Sequence, residues 1–233
     1  MDTPRGSQAR IRRHIDNLGH ADVEVGCRAG RYLVRYYGCR AVEPLADACT
    51  DPNPVVRYRA AWALGHTHDP RALEPLVRLV DDPDPDVRYD ATLALGKLGD
   101  AGAVEPLAAR MALPDPEGSA DNAAAMALAE LGMPAVPALL TLLEHTIHEV
   151  RRTAAYALGK AGGEAVIEPL TRLLSHQDIP MRIAAVEALA DIGAARCRTS
   201  LDQCASDPSE EVRRVAEYWL GVLAEAGGAA PQP

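Results

Sequence analysis

The chain of 233 residues is predicted to be all-α, a right-handed α-solenoid of about seven helical hairpins, on three observations. A landmark Val-Arg pair recurs at Val56-Arg57, Val87-Arg88, Val150-Arg151 and Val212-Arg213, with Met181-Arg182 in the same place. Copies therefore stand 31 residues apart (56 to 87, 150 to 181, 181 to 212), with one gap doubled. A second landmark keeps step, Glu-Pro at 43–44, 74–75, 105–106 and 168–169 with Val136-Pro137 in the fourth place, and Ala-Leu-Gly returns at 63–65, 94–96 and 157–159. A fixed period of this size marks a stacked repeat. Third, the apolar residues Val87, Ala91, Ala94, Leu95 and Leu98 fall on one face of a helix.

Each repeat reads as a first, shorter helix that carries Pro-Leu near its start, followed by a second helix. Asp84 before Pro85 is a helix start, because a side-chain acceptor meets the free amides and a proline needs no amide partner in the first turn. Gly99 supplies the stop. Residues 6–37 form a degenerate first repeat whose first helix, with a polar face, suits an end cap. Its second helix is capped by Asp22 and has Gly26 where later copies have Arg. Repeats 40–67 and 71–98 are regular. In the fourth, 103–131, Ala120-Asp121 stands at the Val-Arg position and the turn Leu113–Ser119 is two residues longer, so a hinge is expected there. Repeats 134–161 and 164–192 return to pattern, although Ile147 and His148 make a poorly capped start. The last hairpin, 195–224, has Ser209 as cap and Glu210 and Glu211 in the first turn, favourable beside a helix dipole. A single domain, 1–225, and a disordered tail, 226–233, complete the expectation.

The run DPDPDVRYDATLALGKLGD at 82–100, followed by AVEPL at 103–107, resembles the HEAT repeat, in the short variety of the phycobilisome (bilin) lyase HEAT-like repeats. The resemblance extends from about residue 22 to about residue 224. It implies an armadillo-like helical architecture whose second helices line a concave side. It does not choose among the lyases, the hydroxylase, the DNA glycosylases and the binding scaffolds that share the fold.

With no Phe, the core must be Ala, Leu and Val, and Ala at contact positions lets helices approach closely. The net charge of −9 argues against a nucleic-acid partner. Five Cys without a Cys-x-x-Cys offer neither a disulfide framework nor a zinc signature, so a reducing cytoplasm is expected. Charges occupy the amino terminus where a signal peptide needs an apolar run, and no membrane-length apolar segment occurs. A monomer is expected.

The repeated Arg57, Arg88, Arg151, Arg182 and Arg213 flank each second helix, and Asp51, Asp82 and Asp207 precede three of them by six residues. They read as a structural ladder of arginines with turn carboxylates or carbonyls rather than a phosphate-binding stripe. The positions pointing away from the core are more informative. Two and six steps beyond the core Val, an unpartnered helix would carry Glu, Lys or Gln; this chain has Cys27 and Arg31, Tyr58 and Trp62, Tyr89 and Leu93, Asn122 and Met126, Arg152 and Tyr156, Ile183 and Glu187, Arg214 and Tyr218. Trp62, Leu93, Met126 and Tyr156 are expected to form a row roughly 10 Å apart, flanked by Tyr58, Tyr89 and Arg152 and extended by His66. Such a stripe has the composition of a binding site for a protein or peptide partner. The alternative is that curvature buries these side chains against one another.

No catalytic residue and no metal site is expected. The hydroxylases of the family place His-Glu pairs at steps two and three, where this chain has Tyr58-Arg59, Tyr89-Asp90, Asn122-Ala123, Arg152-Thr153, Ile183-Ala184 and Arg214-Val215. His66, His68 and Asp69, the pair His148-Glu149, and the acids Asp115, Glu117 and Asp121 read as surface groups. The function expected is a non-catalytic scaffold without a cofactor. The alternative implied by the resemblance is a bilin-lyase-like protein or chaperone that holds a tetrapyrrole on the aromatic stripe, with Arg57, Arg88 and Arg152 near its propionates.

Overall fold

The structure, a computed structural model, describes the backbone of residues 4–113, 119–192 and 194–228. Fourteen α-helices and no strand occur among the described residues. They pair as hairpins: α1 (Pro4–Asp16) with α2 (Val23–Tyr37), α3 (Val42–Ala48) with α4 (Pro54–Gly65), α5 (Leu73–Leu79) with α6 (Pro85–Leu98), and α7 (Val104–Ala112) with α8 (Ser119–Leu131). The remaining pairs are α9 (Val136–Leu142) with α10 (His148–Ala161), α11 (Ile167–Leu173) with α12 (Ile179–Ile192), and α13 (Ala194–Cys204) with α14 (Glu210–Gly228). The chain divides into two compact units, one ending at Leu131 and the other beginning at Gly132.

Local chemistry explains where the helices begin and end. Asp84 accepts the amides of Asp86 and Val87 at 3.0 and 3.2 Å ahead of Pro85, Asn53 accepts that of Val55 at 3.0 Å, and Asp22 that of Glu24 at 2.9 Å. Gly99 closes α6 with φ of 75°, in the left-handed region. Ile147 precedes α10 and provides no side-chain cap. The last helix, α14, continues to Gly228, three residues into the stretch 226–233 expected to be a tail; residues 229–233 lie outside the described residues. The same holds for residues 114–118 of the long fourth turn and for the side chain of Asp121.

In the first unit α2, α4, α6 and α8 pack side by side in chain order, over a core that includes Leu45, Leu64, Leu76, Leu95, Leu107 and Leu128. In the second unit α10, α12 and α14 do the same over Leu139, Leu158, Leu170 and Leu189. The glycine of Ala-Leu-Gly sets their spacing. A Cβ at Gly65 would stand 2.7 Å from the Cα of Ala94, one at Gly96 2.8 Å from that of Ala127, and one at Gly159 2.6 Å from that of Ala188. Any side chain there would push the next helix away.

Polar rungs join the hairpins. In the first unit Arg57 donates from Nε and Nη2 to Asp82 at 2.8 and 2.7 Å, and from Nη1 to the carbonyl of Asp51 at 2.9 Å. Arg88 donates to the carbonyl of Asp82 at 3.0 Å. In the second unit Arg182 grips Asp207 through two bonds of 2.9 Å, Arg151 reaches Asp178 at 3.3 Å, and Arg213 donates to the carbonyl of Asp207 at 2.7 Å. Each arginine thus staples its own turn through carbonyls, and Arg57, Arg151 and Arg182 reach the next hairpin through its carboxylate. A second rung, outside the sequence reading, pairs Lys97 with Glu130 and Lys160 with Asp191.

Candidate functional site

The outward positions of the second helices carry many of the exposed apolar groups, the others including Leu113, Met133 and Ile147 in the turns. Tyr89, Met126 and Tyr156 are 38%, 52% and 44% exposed, and Tyr32, Tyr36 and Tyr218 on α2 and α14 are exposed as well. No first helix of a hairpin carries an exposed large apolar side chain among the described residues. The asymmetry follows from the spacing: a first helix of seven to nine residues such as α3, α5 or α7 spends its apolar groups on the core, while the longer second helix has turns to spare.

In the first unit Trp62, Leu93 and Met126 sit at corresponding turns of three consecutively packed helices. Trp62, Tyr58 and Leu93 are half-buried rather than fully exposed. Trp62 lies against His66, ring centroids 4.3 Å apart, and His66 follows the end of α4 with its Nδ1 2.8 Å from the Trp62 carbonyl. Arg152 and Tyr156 belong to the second unit. Arg152 pairs with Glu149, which lifts its basicity and holds the carboxyl of Glu149 below the usual range, chiefly through their hydrogen bonds. The ring of Tyr156 faces the Lys160 ammonium at 5.5 Å.

A cavity of about 320 Å³ opens beside Trp62, lined by Gly26, Cys27, Gly30 and Arg31 of α2, Tyr58, Arg59 and Trp62 of α4, and Asp90 of α6. Two glycines one turn apart line it, and one of them is required: a Cβ at Gly26 would fall 1.9 Å from Arg59 Nη1, while one at Gly30 would rest at an ordinary 3.6 Å from the indole. Arg59 is 5% exposed. Its Nη1 donates to the carbonyls of Leu18 and His20, while Nε, also buried, has no partner. No carboxylate makes an ion pair with Arg59 among the described residues. Burial pushes the Asp90 carboxyl up to about 6, with the nearby charge of Asp86 adding to the effect.

The sequence reading did not single out Gly26, Gly30, Arg59 or Asp90 as a group. One signal was there: three steps past the core Val, other copies have Ala123, Thr153, Ala184 and Val215, whereas these two carry opposite charges. His66, His68 and Asp69 do not converge; His68 Nδ1 is 3.5 Å from the Leu98 carbonyl and Asp69 is engaged by Arg71 at 2.8 Å. His148 stands 3.6 Å from Asp178, which it shares with Arg151. Among the described residues no three metal-ligating side chains come together, and no single helix is long and apolar enough to cross a membrane.

Comparison with known proteins adds the family. No curated protein sequence matches the chain. Among solved structures, the phycocyanin lyase complex of CpcE and CpcF from Nostoc sp. is 26% identical over 94% of this chain and 87% of that one, with a TM-score of 0.49. Human deoxyhypusine hydroxylase is 23% identical over 96% and 100%, with a TM-score of 0.42, and an engineered protein is 21% identical over 92% and 68%, with a TM-score of 0.44. The family model for HEAT repeats matches residues 42–118, 111–178 and 149–221. With its hairpins, its arginine rungs and this match together, the chain belongs to the HEAT-repeat family.

Proposed function

We propose that the protein is a binding module that captures a protein or peptide partner on the outward face of its second helices and performs no chemistry of its own. The observation that carries this reading is that every exposed tyrosine among the described residues lies on a second helix, Tyr89 and Tyr156 among them, as does the exposed Met126. Leaving such side chains partly in water forgoes a share of the about 1.5–3 kcal/mol that full burial of a large apolar group would give, and the repeat could have used Lys or Glu at the same positions. Aromatic residues and methionine flanked by arginine are the composition enriched at protein interfaces. Within each unit the rungs and glycine contacts beneath hold neighbouring second helices in place before a partner arrives, which lowers the entropic cost of binding.

The test is affinity capture from the native cell extract with the wild type and with Tyr89→Ala combined with Met126→Ala. The double variant is expected to lose the captured partner while its helicity and melting temperature stay within a few degrees of wild type. Recovery of the same partner by both proteins would overturn the reading. A visible absorption band in the eluate, lost in the variant, would support a tetrapyrrole-bearing partner and the lyase-like alternative.

A further inference from the structure

We propose that the open cavity lined by α2, α4 and α6 is a site for a small dipolar molecule of the aromatic amino-acid class, with its carboxylate on Arg59, its ammonium on Asp90 and its ring against Trp62 and Tyr58. This goes beyond capture of a macromolecule, for a space of about 320 Å³ lies at the lower end for small-molecule sites and is far too small for a folded partner.

Four observations carry it. Arg59 is a buried cation that donates from Nη1 to two carbonyls and lies over the Tyr58 ring at 5.6 Å, yet has no carboxylate partner and an unpartnered Nε, an arrangement that an arriving anion would stabilise. The repeat does not demand it, since other copies have Ala, Thr or Val at that position. Gly26 on the facing helix is what makes room for the guanidinium, whereas a Cβ at Gly30 would only come into ordinary contact with the indole. At the other side, Asp90 is half-buried and makes no hydrogen bond or ion pair among the described residues, while Arg31 is already engaged by Glu24 at 3.0 Å.

The placement of the two charges sets the ligand's polarity. The Arg59 side chain leaves α4 toward α2, for its Nη1 meets the carbonyls of Leu18 and His20 and the space over Gly26. Asp90 stands on α6, which packs on the opposite flank of α4. A cation and an acid on different walls, with an aromatic floor from α4 between them, match a molecule that carries both charges and a flat apolar body. A simple anion would leave the Asp90 carboxylate, ionised at neutral pH, without a partner.

Calorimetric titration of the full chain tests this with three probes: L-phenylalanine, 3-phenylpropionate, which lacks the amine, and phenethylamine, which lacks the carboxylate. L-phenylalanine is expected to bind tightest, and each truncated probe about tenfold or more weaker, the usual loss for one charge-assisted bond. Asp90→Asn should bring L-phenylalanine down to the level of 3-phenylpropionate and leave the latter unchanged. Gly26→Ala, which displaces the guanidinium, should weaken both carboxylates and spare phenethylamine. Equal binding of L-phenylalanine and phenethylamine by the wild type, a silent Asp90→Asn, or no binding of any probe at millimolar concentration would each overturn the proposal. The comparison among probes on the wild-type protein needs no variant, so misfolding of Gly26→Ala would not blur it. The Tyr89→Ala, Met126→Ala protein should bind L-phenylalanine as the wild type does, which separates this site from the partner-binding face.

Discussion

The carboxylate of Asp82 accepts two bonds from Arg57 of the preceding hairpin, at 2.7 and 2.8 Å, and Oδ1 also accepts the amide of Asp84 at 2.9 Å in its own turn. Both side chains are largely buried, 13% and 5% exposed. Removing one partner leaves the other charge stranded, so Asp82→Ala should cost about 3–5 kcal/mol in urea unfolding, whereas joint replacement of Arg57 and Asp82 by apolar residues of similar volume should cost far less. At Asp207 burial raises the pKa, but the hydrogen bonds from Arg182, the Ser209 amide and the charges of Arg182 and Arg213 outweigh it, so the carboxyl is held below the usual range. A lowered folded value means that its stabilisation is present above the unfolded pKa of about 4 and is lost as pH falls through the folded value. Asp90 has the opposite sign. Raised to about 6 by burial first and Asp86 second, it subtracts stability as pH rises from about 4 to about 6. Urea titrations across pH should therefore show Asp90→Asn removing a decline in stability over that window, and Asp207→Asn removing a rise on the acid side.

Between neighbouring second helices the glycine of Ala-Leu-Gly decides the spacing. Replacing a helical glycine by alanine gains about 1 kcal/mol of intrinsic helix propensity. At Gly96 the new methyl would stand 2.8 Å from the Ala127 Cα and 3.0 Å from its Cβ, a contact that only a shift of α8 against α6 could relieve. Overpacking of this kind costs typically 1–3 kcal/mol, so Gly96→Ala should lower the thermal midpoint despite the better propensity. The start of α10 offers the reverse case. Ile147 occupies the capping position without a side-chain acceptor and is 38% exposed, so Ile147→Asp should stabilise the protein by about 1 kcal/mol in the same assay. The cap and the stop of α6, by contrast, are both as the sequence reads, because Asp84 and Gly99 act on amides and carbonyls within one turn of themselves.

Across the molecule, stability follows the linear contact pattern of a repeat protein, in which hairpins support their neighbours. In the first unit α4 and α6 have a second helix packed on either side, and in the second unit α12 does. Amide hydrogen exchange should accordingly be slowest in α4, α6 and α12 and faster in α1, packed on α2 and α3, and in α14, packed on α12 and α13; equal protection throughout would contradict nearest-neighbour coupling. The arginines of the rungs are spent internally on turn carbonyls and carboxylates. That leaves Arg57 unavailable to a ligand, and Arg88 and Arg151 already donate to turn carbonyls.

The sequence by itself determined the period, the hairpin and the caps, because each rests on residues within a few turns of one another: Asp84 with Pro85, Gly99, and the apolar spacing from Val87 to Leu98. It also placed Tyr89, Met126 and Tyr156 on an outer face, since helical geometry alone decides which side of a helix opposes its core. Only the tertiary structure decided the partners that cross from one hairpin to the next. Asp82 looked like the companion of Arg88, six residues on, yet its side chain serves Arg57, twenty-five residues back, and only its carbonyl serves Arg88. The cavity is the same kind of fact: Gly26, Arg59 and Asp90 belong to three separate copies and meet because α2, α4 and α6 pack in register. A repeat pattern makes such positions equivalent, and equivalence hides the copies in which a charge has been buried; it takes the packing of neighbouring helices to show that Gly26 leaves the volume that Arg59 fills.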